Sequence, residues 1–307
     1  MNKNLLSAIS GAVLLCSSLF SITSLAELTR EQIMAVVEAS PAIVAVHDKG
    51  QWLDLFAEQS KIEDPVGTQP HKTLWDEQTQ SYSKLPLDNF YDTFIATNNI
   101  SFHVKEDIVA GNEVIRDVDI TTVMSSGLVV VVPTHLRYKV IEEQGEAKIK
   151  RLAAHWELNA MIGQVLGDQA GLVTGAEMAL RMLEEQGVQG AMGYLKGMTV
   201  GIFDLGKKKA LRFAEVVNSG SKAELKNQFS WWKGDVEFPV AGIRYDLDGF
   251  DLRRQGVTLS LSELKSAGWY TSARFNLVDQ GVQRSGIVFF KFDEYTYRIK
   301  QVRFFWE

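Results

Sequence analysis

The sequence predicts an α+β fold with two cone-shaped domains, each made of helices packed on a curved antiparallel sheet. Three observations lead to this prediction. Helical periodicity near the N-terminus changes to a period of two over residues 100–157, which is typical of helices followed by a meandering sheet. The phrase KIEDPVG at 61–67 returns as VEFPVAG at 236–242. The phrase KIKRLAAHWE at 148–157 returns as RIKQVRFFWE at 298–307, and two phrases repeated in the same order indicate a duplicated domain.

Length and charge limit the number of domains and the classes of partner. The chain has 307 residues, of which 46% are hydrophobic and 23% are charged. At about 150 residues per domain, this length fits two domains. The formal net charge is -6, and there is no Lys/Arg-rich run. We therefore expect neither nucleic acid nor an anionic membrane as a partner.

Residues 1–26 have the pattern of a secretory signal peptide. Lys3 is their only charge, an apolar stretch follows it, and a Ser-Leu-Ala cleavage site ends at Ala26. The mature chain is therefore expected in the periplasm or the medium, with an uncleaved anchor as the alternative. Because Cys16 is the sole cysteine, the mature domains would fold without disulfides.

Residues 27–160 form the first predicted domain, with helices ahead of its sheet. Thr29 and Gln32 have a capping-box pattern before the first helix, which Pro41 should kink or stop. DKGQWLDLFAEQ predicts a turn and a second helix, KIEDPVG a short strand and turn, and LPLDNFYDTFIAT a third helix. Strands are then expected near 100–109, 112–124, 127–141 and 148–157.

Residues 161–206 are predicted to be a glycine-rich helical linker. Glycines recur every fourth residue, which on a helix lines one face and permits close packing; they are Gly163, Gly167, Gly171 and Gly175, and then Gly193, Gly197 and Gly201. Charged residues such as Glu177 and Arg181 interrupt the segment, so it should not span a bilayer. Short helices packed on a domain are one interpretation, and a membrane-surface or partner-helix role is the other.

Residues 207–307 form a second, shorter predicted domain. A helix-turn-helix pattern precedes VEFPVAG, and two strong strands end the chain. Pro65 to Trp156 spans 91 residues in the first copy, whereas Pro239 to Trp306 spans only 67. The second copy is therefore expected to lack the third helix or a strand.

The first copy resembles the ketosteroid isomerase family of the SnoaL-like and nuclear-transport-factor-2-like superfamily. The resemblance rests on WLDLFAEQSKIEDPVGTQP, LDNFYDTF and KIKRLAAHWE, and it covers 28–160 well and 207–307 more weakly. It implies a conical pocket between the helices and the concave face of the sheet. It also implies either cofactor-free proton transfer of the isomerase or cyclase type, or simple ligand binding.

The resemblance assigns roles to individual residues. Asp64 corresponds to the base that moves a proton, and Tyr91 to a tyrosine that borders the oxyanion site. The remaining residues implied for the ligand pocket are Phe56, Phe94, Leu136, Leu152, Ala154 and Trp156. The family's oxyanion Tyr and Asp are missing, and Leu136 stands in place of that Asp. A carboxyl group at the base of an apolar pocket should have a raised pKa, whereas an Asp before Pro can also simply cap a turn.

Two further acids have an ambiguous register. Asp117 and Asp119 point into the pocket in one register of their strand and into solvent in the other, and the apolar Val118 and Ile120 between and after them favour the solvent register. His135 and His155 are expected to be cross-strand neighbours on the convex face, where they would form a domain contact. No third ligand has metal-site spacing, and no phosphate loop, dinucleotide fingerprint or nucleophile elbow is present, so neither a metal nor a cofactor is expected.

Phe238 occupies the position of Asp64 in the second copy, which is therefore expected to serve only as a packing partner. The two copies should form an intrachain pseudo-dimer through their sheets, leaving the chain monomeric. Three hypotheses remain for the first copy: a proton-transfer enzyme with Asp64 as base, a carrier of a small apolar ligand, or an interaction protein with filled pockets. An apolar cavity of a few hundred Å³ opening onto Asp64 would favour the first two.

Overall fold

The computed structural model describes residues 27–167, 169–230 and 234–307. The predicted signal peptide and its Cys16 lie outside the described residues. The α+β class is confirmed, because each of two six-stranded curved sheets carries helices on one face.

The first sheet has the strand order β2-β1-β8-β7-β6-β5, in which only β1 and β8 run parallel. The elements of this half are helices α1 (Arg30–Ala45), α2 (Lys49–Asp54) and α3 (Leu85–Phe94), and strands β1 (Phe56–Glu63), β2 (His71–Lys72), β3 (Leu74–Asp76), β4 (Ser81–Ser83), β5 (Asn99–Ala110), β6 (Glu113–Val123), β7 (Val129–Glu143) and β8 (Glu146–His155). Strands β3 and β4 form a separate hairpin. The long strands β5 to β8 match the predicted positions closely.

The first two helices differ in part from the prediction. Helix α1 does not stop at Pro41, which was one of the two expected outcomes, but continues to Ala45, because Val37 before the proline and Val44 after it are both held in the core. The second helix ends at Asp54 rather than continuing through the predicted segment. From Phe56 the chain is a strand, since pairing of β1 with β8 outweighs the local helical pattern.

The second sheet repeats the first strand for strand, in the order β10-β9-β14-β13-β12-β11. Its elements are helices α6 (Phe203–Ser219), α7 (Lys222–Gln228) and α8 (Leu247–Arg253), and strands β9 (Asp235–Phe238), β10 (Ile243–Asp246), β11 (Val257–Ala267), β12 (Tyr270–Asp279), β13 (Val282–Phe292) and β14 (Ile299–Trp306). A third helix is therefore present, and among the described residues this copy has no counterpart of the β3–β4 hairpin.

Helices α4 (Leu158–Leu166) and α5 (Gln169–Thr199) connect the two sheets and pack on the first domain. Gly187 interrupts α5, because its backbone lies at φ 66° and ψ -175°. Asn89 of α3 donates to the carbonyl of Glu185, 2.7 Å away, next to this interruption. The interpretation as helices packed on a domain therefore describes the segment. Among the described helices, none has the combined length and apolarity needed to cross a bilayer.

The two sheets pack on each other through the faces that point away from their helices. One apolar cluster of this interface consists of Ile108, Ala110 and Ile115 from the first sheet and Ile287, Phe289 and Phe305 from the second, and another consists of Val66, Ala153 and Ala267. Contact is close enough at one loop that a Cβ atom on Gly67 would lie 2.4 Å from the Cα atom of Gly268. His135 and His155 both lie in the interface: Nδ1 of His135 is 2.8 Å from Oγ of Ser272, and the His155 ring is 4.8 Å from that of Phe289.

Candidate functional site

The first domain encloses a cavity of about 150 Å³ between α1, α3 and the concave face of its sheet. Strand alternation builds its floor, since every second residue of β7 faces it: Val130, Val132, Thr134, Leu136 and Tyr138. The linker helices complete the enclosure. Met161 of α4, together with Met178 and Tyr194 of α5, lies against the cavity. The cavity is therefore built by the domain and closed by the glycine-rich segment.

Asp64 lies on this cavity, directly after the end of β1. Nε1 of Trp156 donates a hydrogen bond of 2.5 Å to its Oδ1. Burial raises the pKa of Asp64 from 3.8 to about 6, and the Trp156 hydrogen bond opposes that rise only in part. The turn after Asp64 is closed by Thr68, whose backbone N–H and hydroxyl both donate to the carbonyl of Pro65. The carboxyl group thus faces the cavity rather than capping its own turn.

Two tyrosines that the sequence analysis did not select also line the cavity. Burial raises the pKa of Tyr138 to about 12, and it raises the pKa of Tyr194 as well. The negative charge of Asp64 raises both values further, so both phenols are within electrostatic reach of the carboxylate. Both therefore stay protonated at neutral pH and can donate hydrogen bonds to a ligand oxygen.

The two tyrosines differ in how far the sequence indicates them. Tyr138 lies on the less charged face of β7, in register with Leu136, so the strand alternation points to it. Tyr194 comes from α5, outside the part of the chain that carries the repeated phrases, and its ring stacks on Phe94 at 5.9 Å. No local pattern in the sequence indicates that this helix covers the cavity.

The predicted pocket residues divide into two groups. Phe94, Leu136, Leu152 and Trp156 line the cavity together with Asp64. Tyr91, Phe56 and Ala154 are buried in the surrounding core instead.

The structure does not place Tyr91 at an oxyanion site. Phe90 and Phe94 are one helical turn apart on α3 and face the cavity, so Tyr91 is rotated towards α2, where its ring is 5.3 Å from that of Trp52. The Tyr91 hydroxyl is buried and has no hydrogen-bond partner among the described residues. Tyr91 is not among the residues that line the cavity.

Phe56 and Ala154 pack behind the residues that line the cavity. Phe56 begins β1 and packs edge-on against Trp52 at 4.8 Å, and Trp52 lines the cavity in its place. Ala154 is paired with Leu136 across β8 and β7 and is fully buried.

Asp117 and Asp119 are not pocket acids, because Ile120 and Thr122 of β6 face the cavity. The acids lie on the opposite face, as the favoured register requires, but the second domain covers that face. Asp117 is fully buried, with its Oδ2 atom 3.2 Å from Nε of Arg274. Asp119 is 2.8 Å from Nζ of Lys105. Asp117 thus contributes to the domain interface, whereas Asp119 is partly exposed and pairs within its own domain.

The arrangement offers one group for proton transfer and further groups for hydrogen bonding. Within the ranges that the structure describes, no three His, Cys, Asp or Glu side chains converge as a metal site would require. Among the described residues that line the cavity, the ionisable groups are one carboxyl group of raised pKa and two neutral phenols.

Comparison with known proteins finds similarity at the level of solved structures. No family model matches the chain, and no curated protein matches it. A Δ5-3-ketosteroid isomerase from Mycobacterium sp. is 24% identical over 42% of this chain and 96% of its own, with a TM-score of 0.35. A Mycobacterium tuberculosis protein solved in complex with estradiol-17beta-hemisuccinate is 22% identical over 42% and 95%, also with a TM-score of 0.35. The epoxide hydrolase/cyclase-like enzyme SalBIII, of pyran ring formation in salinomycin, is 13% identical over 42% and 93%, with a TM-score of 0.34. The resemblance found in the sequence is thus present among solved structures, over a share of the chain that fits one copy.

Proposed function

We propose that the first domain binds a small apolar molecule with a carbonyl group and that Asp64 moves a proton on it. The single observation that carries this proposal is a carboxyl group with a pKa of about 6 on a predominantly apolar cavity. Such a group is ionised at neutral pH, yet it is a stronger base than an exposed Asp. The interaction-protein hypothesis requires a filled core, whereas Asp64 lies on a cavity.

The size of the cavity limits the ligand. A volume of about 150 Å³ is smaller than the few hundred Å³ expected from the sequence. A dry apolar cavity of about this volume accommodates a molecule the size of benzene. We therefore favour a single ring or a short acyl chain, while a larger polycyclic ligand would require α5 to move away from Phe94.

The proposed reaction uses three side chains. The Asp64 carboxylate removes a proton from the carbon next to the ligand carbonyl, and the bonding electrons move onto the carbonyl oxygen as an enolate. Tyr138 and Tyr194 donate hydrogen bonds to that oxygen. In a ligand with a C=C bond next to the acidic carbon the enolate is a dienolate, and Asp64 returns the proton to the far carbon of that bond while the C=C bond shifts into conjugation with the carbonyl. Trp156 orients the carboxyl group through its N–H. Each lost donor to such an oxyanion typically costs about 10²–10³ in rate.

A carrier without catalysis is the second candidate, and Leu136 is the observation that favours it. Leu136 lines the cavity where the resemblance implies an acidic hydrogen-bond donor. Without that donor the enolate depends on the two phenols alone. A cavity closed by α5 would also suit a protein that sequesters its ligand.

Asp64→Asn separates the two candidates. For an enzyme, loss of the base should lower turnover by roughly 10²–10⁴, and wild-type activity should rise with pH through about 6. For a carrier, ligand affinity should stay the same or improve, because a buried charge is removed. The ligand to assay is the one that native mass spectrometry finds on protein from its own host.

Asp204→Asn is the matched control, since Asp204 is an exposed carboxylate whose side chain is 86% accessible. Unchanged turnover in Asp64→Asn would contradict the enzyme, and a loss of ligand affinity in this variant would contradict the carrier.

We also propose that the chain acts after export, on the basis of the signal-peptide pattern in residues 1–26. The mature protein should begin at Glu27 and fractionate with the periplasm or the medium. N-terminal sequencing that finds Met1 on cytoplasmic protein would refute export.

A further inference from the structure

The second domain also encloses a cavity, in the position that matches the first. Its volume is about 140 Å³. Phe238, which replaces Asp64, forms part of the wall rather than filling the space: its ring stacks on Phe304 at 5.3 Å and meets Trp306 edge-on at 5.5 Å. Phe275 completes this aromatic wall, 5.0 Å from Phe304. The cavity is thus apolar and aromatic, and it is far larger than ordinary packing voids.

The charge on this cavity is opposite to that of the first. Arg253, Arg254 and Arg284 line it, together with Asp279. Arg254 is fully engaged, because it binds Asp251 at 2.7 Å and donates to the backbone carbonyls of the α6 C-terminus. Arg253 is paired with Asp279 at 2.5 Å. Both of these cations therefore already have anionic or carbonyl partners.

Arg284 is the third arginine on the cavity, and it differs from the other two in having no anionic partner among the described residues. Its guanidinium lies 5.8 Å from the ring centre of Trp306, and the residue is half-buried. No described carboxylate lies within ion-pair distance of it. A half-buried guanidinium beside an aromatic wall is suited to bidentate binding of a carboxylate.

Asp279 adds one unused acceptor. Its Oδ2 atom binds Arg253, but its Oδ1 atom is buried and has no hydrogen-bond donor among the described residues. The cavity therefore offers a free cation, a free acceptor and aromatic walls in the space of a single ring. Leaving a buried carboxylate oxygen unpaired is costly, so a ligand hydroxyl or N–H there would be favourable.

We propose that the second domain is a separate binding site for a single-ring aromatic carboxylate. Arg284 binds the carboxylate, the ring packs among Phe238, Phe304 and Trp306, and a hydroxyl on the ring donates to Asp279. The volume sets the limit of one ring, as in the first domain. The site does not depend on the proposed function of Asp64. The negative charge of the Asp64 carboxylate would repel such an anion from the first cavity.

The probe for this site is 4-fluorobenzoate, observed by ¹⁹F NMR titration against the full mature chain. Binding with a Kd of about 1 mM or tighter is expected for a ligand of this size. Arg284→Met keeps an apolar stem and removes the charge, and it should weaken binding by about tenfold or more. The neutral analogue 4-fluorobenzamide should bind the wild type at least about tenfold more weakly than the acid, and Arg284→Met should not weaken it further.

Two further variants keep the test decisive. Arg212→Met removes an exposed cation of α6 that lies outside the cavity, and it should leave binding unchanged. Val257→Phe narrows the cavity without altering Arg284, and it should abolish binding even if Arg284→Met proves unstable.

The proposal is overturned if the wild type fails to bind 4-fluorobenzoate at about 10 mM. It is equally overturned if a folded Arg284→Met or Val257→Phe variant binds as the wild type does, or if the amide binds as tightly as the acid. A loss of binding in Asp64→Asn alone would assign the probe to the first cavity and would also overturn it.

Discussion

At the scale of single residues, Asp64 and Phe238 show how one position in a duplicated phrase determines the character of a cavity. Both residues precede a proline and both line a cavity of similar volume. In the first cavity the carboxyl group of Asp64 accepts a hydrogen bond from the Trp156 N–H. In the second cavity the ring of Phe238 stacks on Phe304, and the charged groups come mainly from arginines. Burial, rather than the Asp-Pro pair itself, gives Asp64 its pKa of about 6.

Asp64→Asn should also change stability, with a definite dependence on pH. The folded-state pKa is raised from 3.8 to about 6, so between these values the folded protein binds more protons than the unfolded chain. Wild-type stability should therefore fall as pH rises from about 4 to about 6, by at most about 3 kcal/mol. The Asn variant lacks this loss and should be the more stable protein at about pH 7.5 but not at about pH 4. Urea unfolding of both proteins at the two pH values measures the difference, and equal wild-type and variant stability at both would contradict a buried carboxylate.

At the scale of elements, the interrupted helix α5 decides what the first cavity contains. It brings Met178 and Tyr194 to a space that the sheet and α3 leave open. Two hydrogen bonds join α5 to α3 next to the interruption. The Asn89 side chain donates to the carbonyl of Glu185, and the Gln186 side-chain amide donates to Oγ1 of Thr93. The glycine at the interruption is required there, because φ 66° with ψ -175° is a region that other residues rarely occupy.

Gly187→Ala should therefore loosen this closure. The strained backbone is expected to cost about 1–3 kcal/mol, and hydrogen exchange should become faster in α5 while the second sheet stays protected. The matched control is Gly163→Ala, because Gly163 lies inside α4 and a Cβ atom there meets nothing within 4 Å. That variant should be neutral or more stable by about 0.5–1 kcal/mol. Equal exchange in α5 of the two variants would show that the interruption does not hold the closure in place.

At the scale of the whole molecule, the two sheets bury polar groups of the first domain against the second. The strand registers make His135 and His155 equivalent to Ile287 and Phe305 of the second copy. Burial lowers the pKa of His155 to about 3, and it lowers the pKa of His135 well below its usual value, where the charge of Lys265 acts in the same direction. Both histidines are therefore neutral in the folded protein, and in His155 both ring nitrogens lack hydrogen-bond partners among the described residues.

This interface should make the protein sensitive to acid. Below pH 6.5 the unfolded chain protonates histidines that the folded protein keeps neutral, so stability falls as pH decreases from about 6.5. His155→Phe introduces the residue type that the second copy has at the equivalent position, Phe305. It should reduce the slope of the free energy of unfolding against pH by about 1.4 kcal/mol per pH unit. Urea unfolding between about pH 7 and about pH 5 tests this, and identical slopes for wild type and variant would contradict it. Because the Asp64 effect has the opposite sign in part of this range, each variant is compared with wild type rather than with the other.

The sequence by itself determined the repeated α+β architecture, the positions of β5 to β8 and the location of Asp64 and Trp156 on the first cavity. The architecture and the strand positions follow from period-two alternation, turn residues and two repeated phrases, whereas the placement of Asp64 and Trp156 is what the family resemblance implied. Only the tertiary structure decided that Tyr194 rather than Tyr91 lines the first cavity, and that Asp117 is buried. It also showed that the second copy keeps a cavity, lined by Arg284, which has no anionic partner among the described residues. The physical reason is that these features depend on which surfaces cover one another. A helix from the linker closes one cavity and a second sheet covers the back of the first, and neither contact is encoded by spacing along the chain.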